Sequence, residues 1–171
     1  VRIYFWDGLN WVQKGDDIDG EAADDYSGSA VNMPDANTVA IGAWGNDGNA
    51  SNAGHVRVYT WDGVTWTQKG IDIDGEAAND EFGYSISMPD ANTIATGAHR
   101  ADGTGLDAGQ AHIYKWDGSA WMLLSSFDGE LVGDESGCSV SMPNANTIAI
   151  GARYNSNSGY HAGHTRIYSS A

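Results

Sequence analysis

The stretch Val56–Gly63, which reads Val-Arg-Val-Tyr-Thr-Trp-Asp-Gly, decides the fold because it recurs along the chain. Val1–Gly8 reads Val-Arg-Ile-Tyr-Phe-Trp-Asp-Gly, and Ala111–Gly118 reads Ala-His-Ile-Tyr-Lys-Trp-Asp-Gly. A shortened copy, Thr-Arg-Ile-Tyr, occupies Thr165–Tyr168, and successive copies are offset by 55, 55 and 54 residues. Recurrence at a fixed period of this length predicts a repeat architecture.

A second motif keeps the same period. Met-Pro-Asp-Ala-Asn-Thr occurs at Met33–Thr38 and Met88–Thr93, and Met-Pro-Asn-Ala-Asn-Thr occurs at Met142–Thr147. We therefore divide the 171 residues into a single array of repeats 1–55, 56–110 and 111–164, followed by a partial strand at 165–171.

Each repeat predicts four short strands. A Pro-Asp-Ala-Asn turn separates the first two strands, and an Asp-Gly dipeptide, typical of tight hairpins, separates the third from the fourth. No segment shows a sustained helical apolar period, so we expect almost no helix. The first two strands of a blade are illustrated by Phe82–Met88 and Thr93–Ala98. The third and fourth are illustrated from the preceding copy by His55–Trp61 and Thr65–Lys69.

Four antiparallel strands per repeat predict an all-β chain of about three β-propeller blades. A β-solenoid is the rival architecture, and it fits less well because its rungs are usually shorter and lack Asp-Gly hairpins. Glycines recur on the first two strands of every repeat, where they would let the inner strands approach closely. They stand at Gly28, Gly83 and Gly137 and at Gly42, Gly97 and Gly151.

Closure requires more blades than this chain supplies, because propellers typically close with about 4–8 blades. We therefore expect either part of a longer propeller chain or a homo-oligomer that completes the ring. The sequence starts at Val1 with neither an initiator Met nor a signal peptide, which leads us to expect a processed or excised product.

The repeats resemble FG-GAP-type propeller repeats, which occur in integrin α-subunit heads and many secreted bacterial proteins. Phe82-Gly83 stands at the "FG" position, and Thr96-Gly97-Ala98 stands at the "GA" position. The resemblance implies a propeller with a binding role, usually extracellular. The family's calcium loop does not carry over, because the interval between these motifs is too short and too poor in carboxylates.

Composition excludes several classes of function. With 23 Asp+Glu against 8 Lys+Arg, the formal net charge is −15, which disfavours nucleic acid as a partner. No apolar run approaches the roughly 20 residues that span a bilayer, so we expect no membrane insertion. Neither a Gly-x-Ser-x-Gly nor a His-Glu-x-x-His motif is present, and the acidic pairs recur in each repeat. We therefore predict that the protein is not an enzyme.

The acidic residues are concentrated in the long connections between strands. In an up-and-down blade these connections share one side, which would then hold 18 of the 23 carboxylates. Such a side should attract cations or basic partners. Calcium is one interpretation, since close carboxylates supply the oxygens that Ca²⁺ prefers, and a solvated acidic surface is the other. The candidate calcium ligands are Asp17, Asp19, Asp72, Asp74 and Asp128.

Differences between the repeats indicate a binding surface. Directly after the second strand, equivalent positions hold Trp44, His99 and Arg153, and the third loop adds Tyr154, Tyr160 and His161. Aromatic loop residues beside Asn and Asp can stack on sugar rings or anchor a protein interface, and the alternative is that they fill local gaps.

These observations lead to one functional hypothesis and one alternative. The first is an extracellular or cell-surface adhesion module that binds a glycan or a cell-surface or matrix protein through its acidic side, with Ca²⁺ as a candidate cofactor. The alternative is a purely structural propeller module within a larger surface protein or assembly.

Overall fold

The computed structural model describes residues 1–170, and these residues form fourteen strands and no helix. The described part of the chain thus contains no helix long and apolar enough to cross a membrane. The strands are β1 Tyr4–Trp6, β2 Trp11–Gln13, β3 Ala30–Asp35, β4 Thr38–Ala43, β5 His55–Trp61, β6 Trp66–Gln68, β7 Ile73–Asp74, β8 Phe82–Asp90, β9 Thr93–Ala98, β10 Gln110–Trp116, β11 Trp121–Asp128, β12 Ser136–Asn144, β13 Thr147–Ala152 and β14 His164–Ser169.

The strands form four antiparallel sheets that follow the repeats. The N-terminal half-blade is β1-β2, blade 1 is β3-β4-β5-β6 with β7 paired to β5, blade 2 is β8-β9-β10-β11, and blade 3 is β12-β13-β14. Apart from β7, sequential strands within each sheet are neighbours, as expected for up-and-down blades. The predicted all-β fold of antiparallel, propeller-type blades is confirmed.

The first strand of each blade ends later than predicted, as blade 2 shows. Pro89 lies inside β8, and the β8–β9 register shifts between Ser87 and Asp90, so the chain passes the proline without a ladder bond from its nitrogen. The turn itself is Ala91-Asn92, and the Asn92 amide donates to Asp90 Oδ1 at 2.7 Å. The strand therefore ends two residues later than Met88.

Apolar side chains pack between successive blades. Between blades 1 and 2 the buried cluster includes Val58, Met88 and Ile94, and between blades 2 and 3 it includes Ile113 and Ile148. The third cluster joins the N-terminal half-blade to blade 1 and contains Ile3, Val39, Ile41 and Trp66. The core is thus divided into layers, one between each pair of neighbouring sheets.

The inner glycines allow the blades to approach each other, as predicted. A Cβ on Gly42 would lie 2.2 Å from the Gly83 carbonyl oxygen, and one on Gly97 would lie 1.9 Å from that of Gly137. Both carbonyls belong to the first strand of the next blade. Only a residue without a side chain permits this contact.

A lysine joins neighbouring blades near the tight turns. Lys69 Nζ donates to the Ala91 carbonyl and to Asn92 Oδ1, and it lies 5.2 Å from the ring centroids of Trp116 and Trp121. Trp121 Nε1 in turn donates to the Lys69 carbonyl at 2.9 Å. Lys14 makes the equivalent contacts with blade 1. We call this arrangement the lysine–tryptophan contact.

Candidate functional site

The long connections all emerge on one side of the blades, because the strands within each sheet alternate in direction. Neighbouring connections contact each other directly. Asn49 Nδ2 donates to the Gly75 carbonyl at 2.8 Å, and the Glu81 amide donates to the Asn52 carbonyl at 3.1 Å. We call this the long-loop side.

A buried aspartate shapes each connection that leads into an inner strand. Asp25 and Asp134 are 4% and 3% exposed. Asp134 Oδ2 accepts from the Leu131 amide and from Asn155 Nδ2, at 3.2 and 2.8 Å, and Asp25 Oδ2 accepts from Asn46 Nδ2 at 3.1 Å. These carboxylates hold the loops in shape and are not free to bind a ligand.

Blade 2 carries the same aspartate with one partner fewer. Asp80 Oδ2 accepts from the Ala77 amide at 3.0 Å, but Ala101 stands where the other blades have an asparagine. Burial therefore raises the pKa of Asp80, with the Ala77 hydrogen bond acting in the opposite direction.

The residue after each buried aspartate has a left-handed backbone and pairs with the residue after the second strand. The left-handed residues are Tyr26, Glu81 and Glu135, with φ of 55°, 55° and 51°. Their partners are Trp44, His99 and Arg153. We call Tyr26–Trp44, Glu81–His99 and Glu135–Arg153 the three pairs. They lie at the inner end of the long-loop side, since their first members lie at or just before the start of the first strand of each blade.

Each pair makes a different kind of contact. The rings of Tyr26 and Trp44 stack with centroids 4.4 Å apart and planes 6° from parallel. His99 Nε2 lies 3.5 Å from Glu81 Oε2. Arg153 Nε donates to Glu135 Oε2 at 2.6 Å. One backbone arrangement thus presents an aromatic, an acid–imidazole and an acid–guanidinium pair.

The second and third pairs are continuous. His99 Nε2 lies 4.0 Å from Glu135 Oε2, and the Tyr84 ring lies 3.9 Å from the imidazole ring. The Arg153 guanidinium is 6.0 Å from the Tyr84 ring centroid and 4.9 Å from that of Tyr154.

The loop between β13 and β14 extends this surface with aromatic rings. His161 lies 3.8 Å from Tyr160 in a stacked arrangement and 4.7 Å from Tyr154, measured between centroids. Tyr160 is 88% exposed. The structure therefore brings together Arg153, Tyr154, Tyr160 and His161 from the predicted ligand set.

The other two residues of that set differ in exposure. Trp44 is half-buried beneath Tyr26, and His99 is only 1% exposed. His99 is covered because the ring of Tyr84 lies over it and Glu81 lies beside it. Sequence reasoning missed Tyr26, Glu81 and Glu135, although the sequence shows tyrosine at this position in one repeat and glutamate in the other two.

The predicted calcium ligands are spread over the three repeats, with Asp74 on β7 and Asp128 at the end of β11. Asp17 is bonded to Arg2 at 2.9 Å and Asp72 to Arg57 at 2.7 Å. Asp128 Oδ1 accepts from Gln110 Nε2 at 2.6 Å. Asp19 is exposed, and burial together with the Asp72 charge raises the pKa of Asp74.

Among the described residues, Asp72 also belongs to one group with the geometry to hold a metal ion. Ligand atoms of Glu21, His55 and Asp72 lie within 4.8 Å of one another, and His55 Nδ1 is buried without a hydrogen-bond partner. Arg57 Nη2 forms ion pairs with both Glu21 and Asp72, so a cation already neutralises these carboxylates. Burial and the Arg57 charge lower the pKa of His55.

Stability should fall as the pH is lowered below about 6.5, the usual pKa of histidine. Burial, followed by the charges of Arg153 and Arg100, lowers the pKa of His99 to about 4. The unfolded chain therefore takes up a proton between these values while folded His99 remains neutral. We expect a loss of about 1 kcal/mol between pH 7.5 and 5.5 from this residue.

Urea unfolding at the two pH values measures this effect. His99→Gln should reduce the pH dependence, and His161→Gln, on the exposed loop, should leave it as in the parent. Equal pH dependence in the parent and in His99→Gln would show that His99 does not contribute.

Comparison with known proteins agrees with the predicted resemblance. Residues 66–114 match the FG-GAP repeat family. The matched part runs from β6 through β10 and includes Phe82-Gly83 and Thr96-Gly97-Ala98. No curated protein matches the chain. The chain thus carries an FG-GAP repeat, which indicates a β-propeller module.

Proposed function

We propose that the chain is a non-enzymatic adhesion module of an extracellular or surface protein and binds a glycan at the inner end of its long-loop side. The observation that carries this proposal is the variation of the three pairs. Their backbone is the same in each repeat, whereas their side chains are aromatic, acid–imidazole and acid–guanidinium. Positions that only support the fold would be expected to repeat, whereas the side chains of a recognition surface can differ from repeat to repeat.

The aromatic rings support a sugar as the ligand. Tyr160 is 88% exposed, Tyr154 is 38% exposed, and both lie against His161. Exposed ring faces can stack on the apolar faces of sugar rings, and Arg153 can donate hydrogen bonds to hydroxyl groups. Because the net charge is −15, a neutral or amino sugar is favoured over a sulfated one.

The carboxylates of the surface support binding rather than catalysis. Glu135 is paired with Arg153, and Glu81 with Arg100 at 3.1 Å, so both acids are neutralised by guanidinium groups. An acid–base pair for glycoside hydrolysis requires two carboxyl groups free to exchange protons with substrate.

An array of neutral, amino and sulfated oligosaccharides tests the proposal, with fluorescently labelled protein in buffers containing Ca²⁺ or EDTA. We expect binding to neutral or amino sugars, weakened about tenfold by Tyr160→Ala, since an aromatic contact contributes about 1 kcal/mol or more. Phe5→Ala, an exposed aromatic on β1, is the matched control. A silent array, or binding that Tyr160→Ala leaves unchanged, would contradict the proposal.

Calcium binding by the acidic connections stays a prediction, and thermal unfolding tests it. Millimolar Ca²⁺ should raise the melting temperature more than NaCl of equal ionic strength, because a ligand that binds the folded state stabilises it by mass action. Ca²⁺ would compete with Arg2 and Arg57 for Asp17 and Asp72. Equal shifts in the two salts would indicate screening alone.

A further inference from the structure

The start of β5 brings a buried histidine against carboxylates from two other parts of the chain. His55 is the first residue of β5, Glu21 lies in the connection between β2 and β3, and Asp72 lies between β6 and β7. One ligand atom from each of the three lies within 4.8 Å of the others. These residues, which we call the His55 cluster, therefore connect the segment that leads into blade 1 with the third and fourth strands of that blade.

The imidazole of His55 has a nitrogen without a hydrogen-bond partner. The side chain is 4% exposed, and Nδ1 lies 3.7 Å from Asp72 Oδ2. That distance is too long for a hydrogen bond, and a buried ring nitrogen rarely lacks a partner. Two ligands of one tetrahedral Zn²⁺ ion, each about 2.1 Å from it, lie about 3.4 Å apart. His55 Nδ1 and Asp72 Oδ2 are therefore spaced to hold such an ion between them.

Arg57 pairs with both carboxylates of the cluster without occupying all their oxygen lone pairs. Its Nε donates to Asp72 Oδ1 at 3.0 Å, and its Nη2 donates to Asp72 Oδ2 at 2.7 Å and forms an ion pair with Glu21 Oε1. A carboxylate oxygen has two lone pairs, so Asp72 Oδ2 keeps one for an ion. Asp74, which is opposite His55 in the sheet, adds a negative charge. The surroundings of His55 thus remain negative with Arg57 in place.

We propose that the His55 cluster binds one Zn²⁺ ion, with Nδ1 of His55 and one carboxylate oxygen each from Glu21 and Asp72 as ligands. One imidazole nitrogen with two carboxylate oxygens suits Zn²⁺, whereas Ca²⁺ takes about 6–8 oxygen ligands. Three protein ligands leave the fourth tetrahedral position to water. Arg57 holds the Asp72 carboxylate in place from outside. Glu21, whose side chain is 48% exposed, is free to turn towards the ion.

Blade 2 shows the same backbone without the cluster. The strand pairing places Gln110 and Ser126 where blade 1 has His55 and Asp72. Gln110 Nε2 donates to Asp128 Oδ1 at 2.6 Å, and the Ser126 hydroxyl is hydrogen-bonded to a histidine ring nitrogen at 3.2 Å. Both side chains therefore have a partner within blade 2. His55→Gln and Asp72→Ser introduce residues that this backbone already holds, so both variants should fold.

Isothermal titration calorimetry of the metal-free chain with ZnCl₂ at pH 7.5 tests the proposal. We expect one strongly bound Zn²⁺ per chain. His55→Gln and Asp72→Ser should each weaken binding more than about 100-fold, since loss of an outer partner alone costs about 10–100-fold. His164→Gln is the matched control and should bind like the parent. Blade 3 repeats part of the arrangement as His164, Glu130 and Arg166, but no described residue stands at the Asp72 position.

Thermal unfolding gives a second measurement on the same variants. Zn²⁺ should raise the melting temperature of the parent but not of His55→Gln, because an ion bound only by the folded state stabilises it by mass action. Circular dichroism confirms that each variant keeps its β-sheet content. Two results would overturn the proposal. One is a parent chain that binds Zn²⁺ no better than His55→Gln or Asp72→Ser. The other is displacement of Zn²⁺ by an equal concentration of Ca²⁺, which would assign the binding to the acidic surface in general.

Discussion

Gly97→Ala should lower the melting temperature by about 6–12 °C or prevent folding. The added Cβ would lie 1.9 Å from the Gly137 carbonyl oxygen, a backbone atom that cannot turn aside. Blades 2 and 3 would have to separate, and overpacking of this kind costs about 3 kcal/mol or more. In a domain of this size, each kcal/mol corresponds to about 2–4 °C, which thermal unfolding followed by circular dichroism can resolve.

The repeat supplies a matched control for this substitution. Gly151 occupies the same position in blade 3, but its Cβ would meet Ser139 Oγ at 2.4 Å, and a hydroxyl can rotate. Gly151→Ala should therefore unfold within a few degrees of the parent. If Gly97→Ala and Gly151→Ala melted alike, the close packing of inner strands would not be the source of stability.

Asp134→Ala should destabilise the folded chain by about 3 kcal/mol. Asp134 is 3% exposed, and its carboxylate satisfies the Leu131 amide and the side chain of Asn155, which is 1% exposed. Removal of the acceptor leaves the buried Asn155 side-chain amide and the partly buried Leu131 amide without this partner, and an unsatisfied buried donor costs about 1–3 kcal/mol. Urea unfolding of the variant and the parent at pH 7.5 gives this difference directly.

Charge alone would predict the opposite result. The chain is strongly acidic, so removing a carboxylate should relieve repulsion if the residue had no specific partners. Asp16→Ala, at an exposed position on the same side, removes the same charge and should change stability by less than about 0.5 kcal/mol. Equal effects of the two substitutions would contradict a structural role for Asp134.

The strand order could be predicted because it follows from features that repeat along the sequence. Asp-Gly hairpins formed as expected, with Asp62 Oδ1 accepting from the Val64 and Thr65 amides at 2.8 Å. The close approach at Gly97 was also predictable, since glycine recurs there in every copy. The hairpin depends on residues near one another in the chain, and the glycine is marked by its recurrence, so the positions of both can be read without knowing how the sheets pack.

The repeat period did not predict whether the fourth strand of a blade is broken or continuous. In blade 1 the strand is broken into β6 and β7, with Gly70 between them at φ 81°. Blade 2 is one residue shorter at this point, and β11 runs unbroken from Trp121 to Asp128. The deletion was visible in the sequence, but its effect was not, because β11 still carries a bulge at Leu124, between the residues that pair with Ile113 and Tyr114.

The three pairs could be predicted only in part. The second member differs in all three repeats, and the first is tyrosine in one repeat and glutamate in the other two. The members of each pair stand 18 residues apart in all three copies. Burial of His99 depends on Tyr84 folding over it from the first strand of the same blade. Such contacts arise from packing between loops and strands, so neither spacing nor composition predicts them.

The left-handed residues Tyr26, Glu81 and Glu135 have nearly identical φ values, and each lies the same distance along the chain from its partner. Their side chains could therefore be transplanted from one blade to another without redesigning the main chain. A combinatorial library at these six positions would vary the chemistry of the surface while the buried aspartates and inner glycines stay constant. In this respect the array offers engineers a modular scaffold, in which affinity reagents can be selected blade by blade.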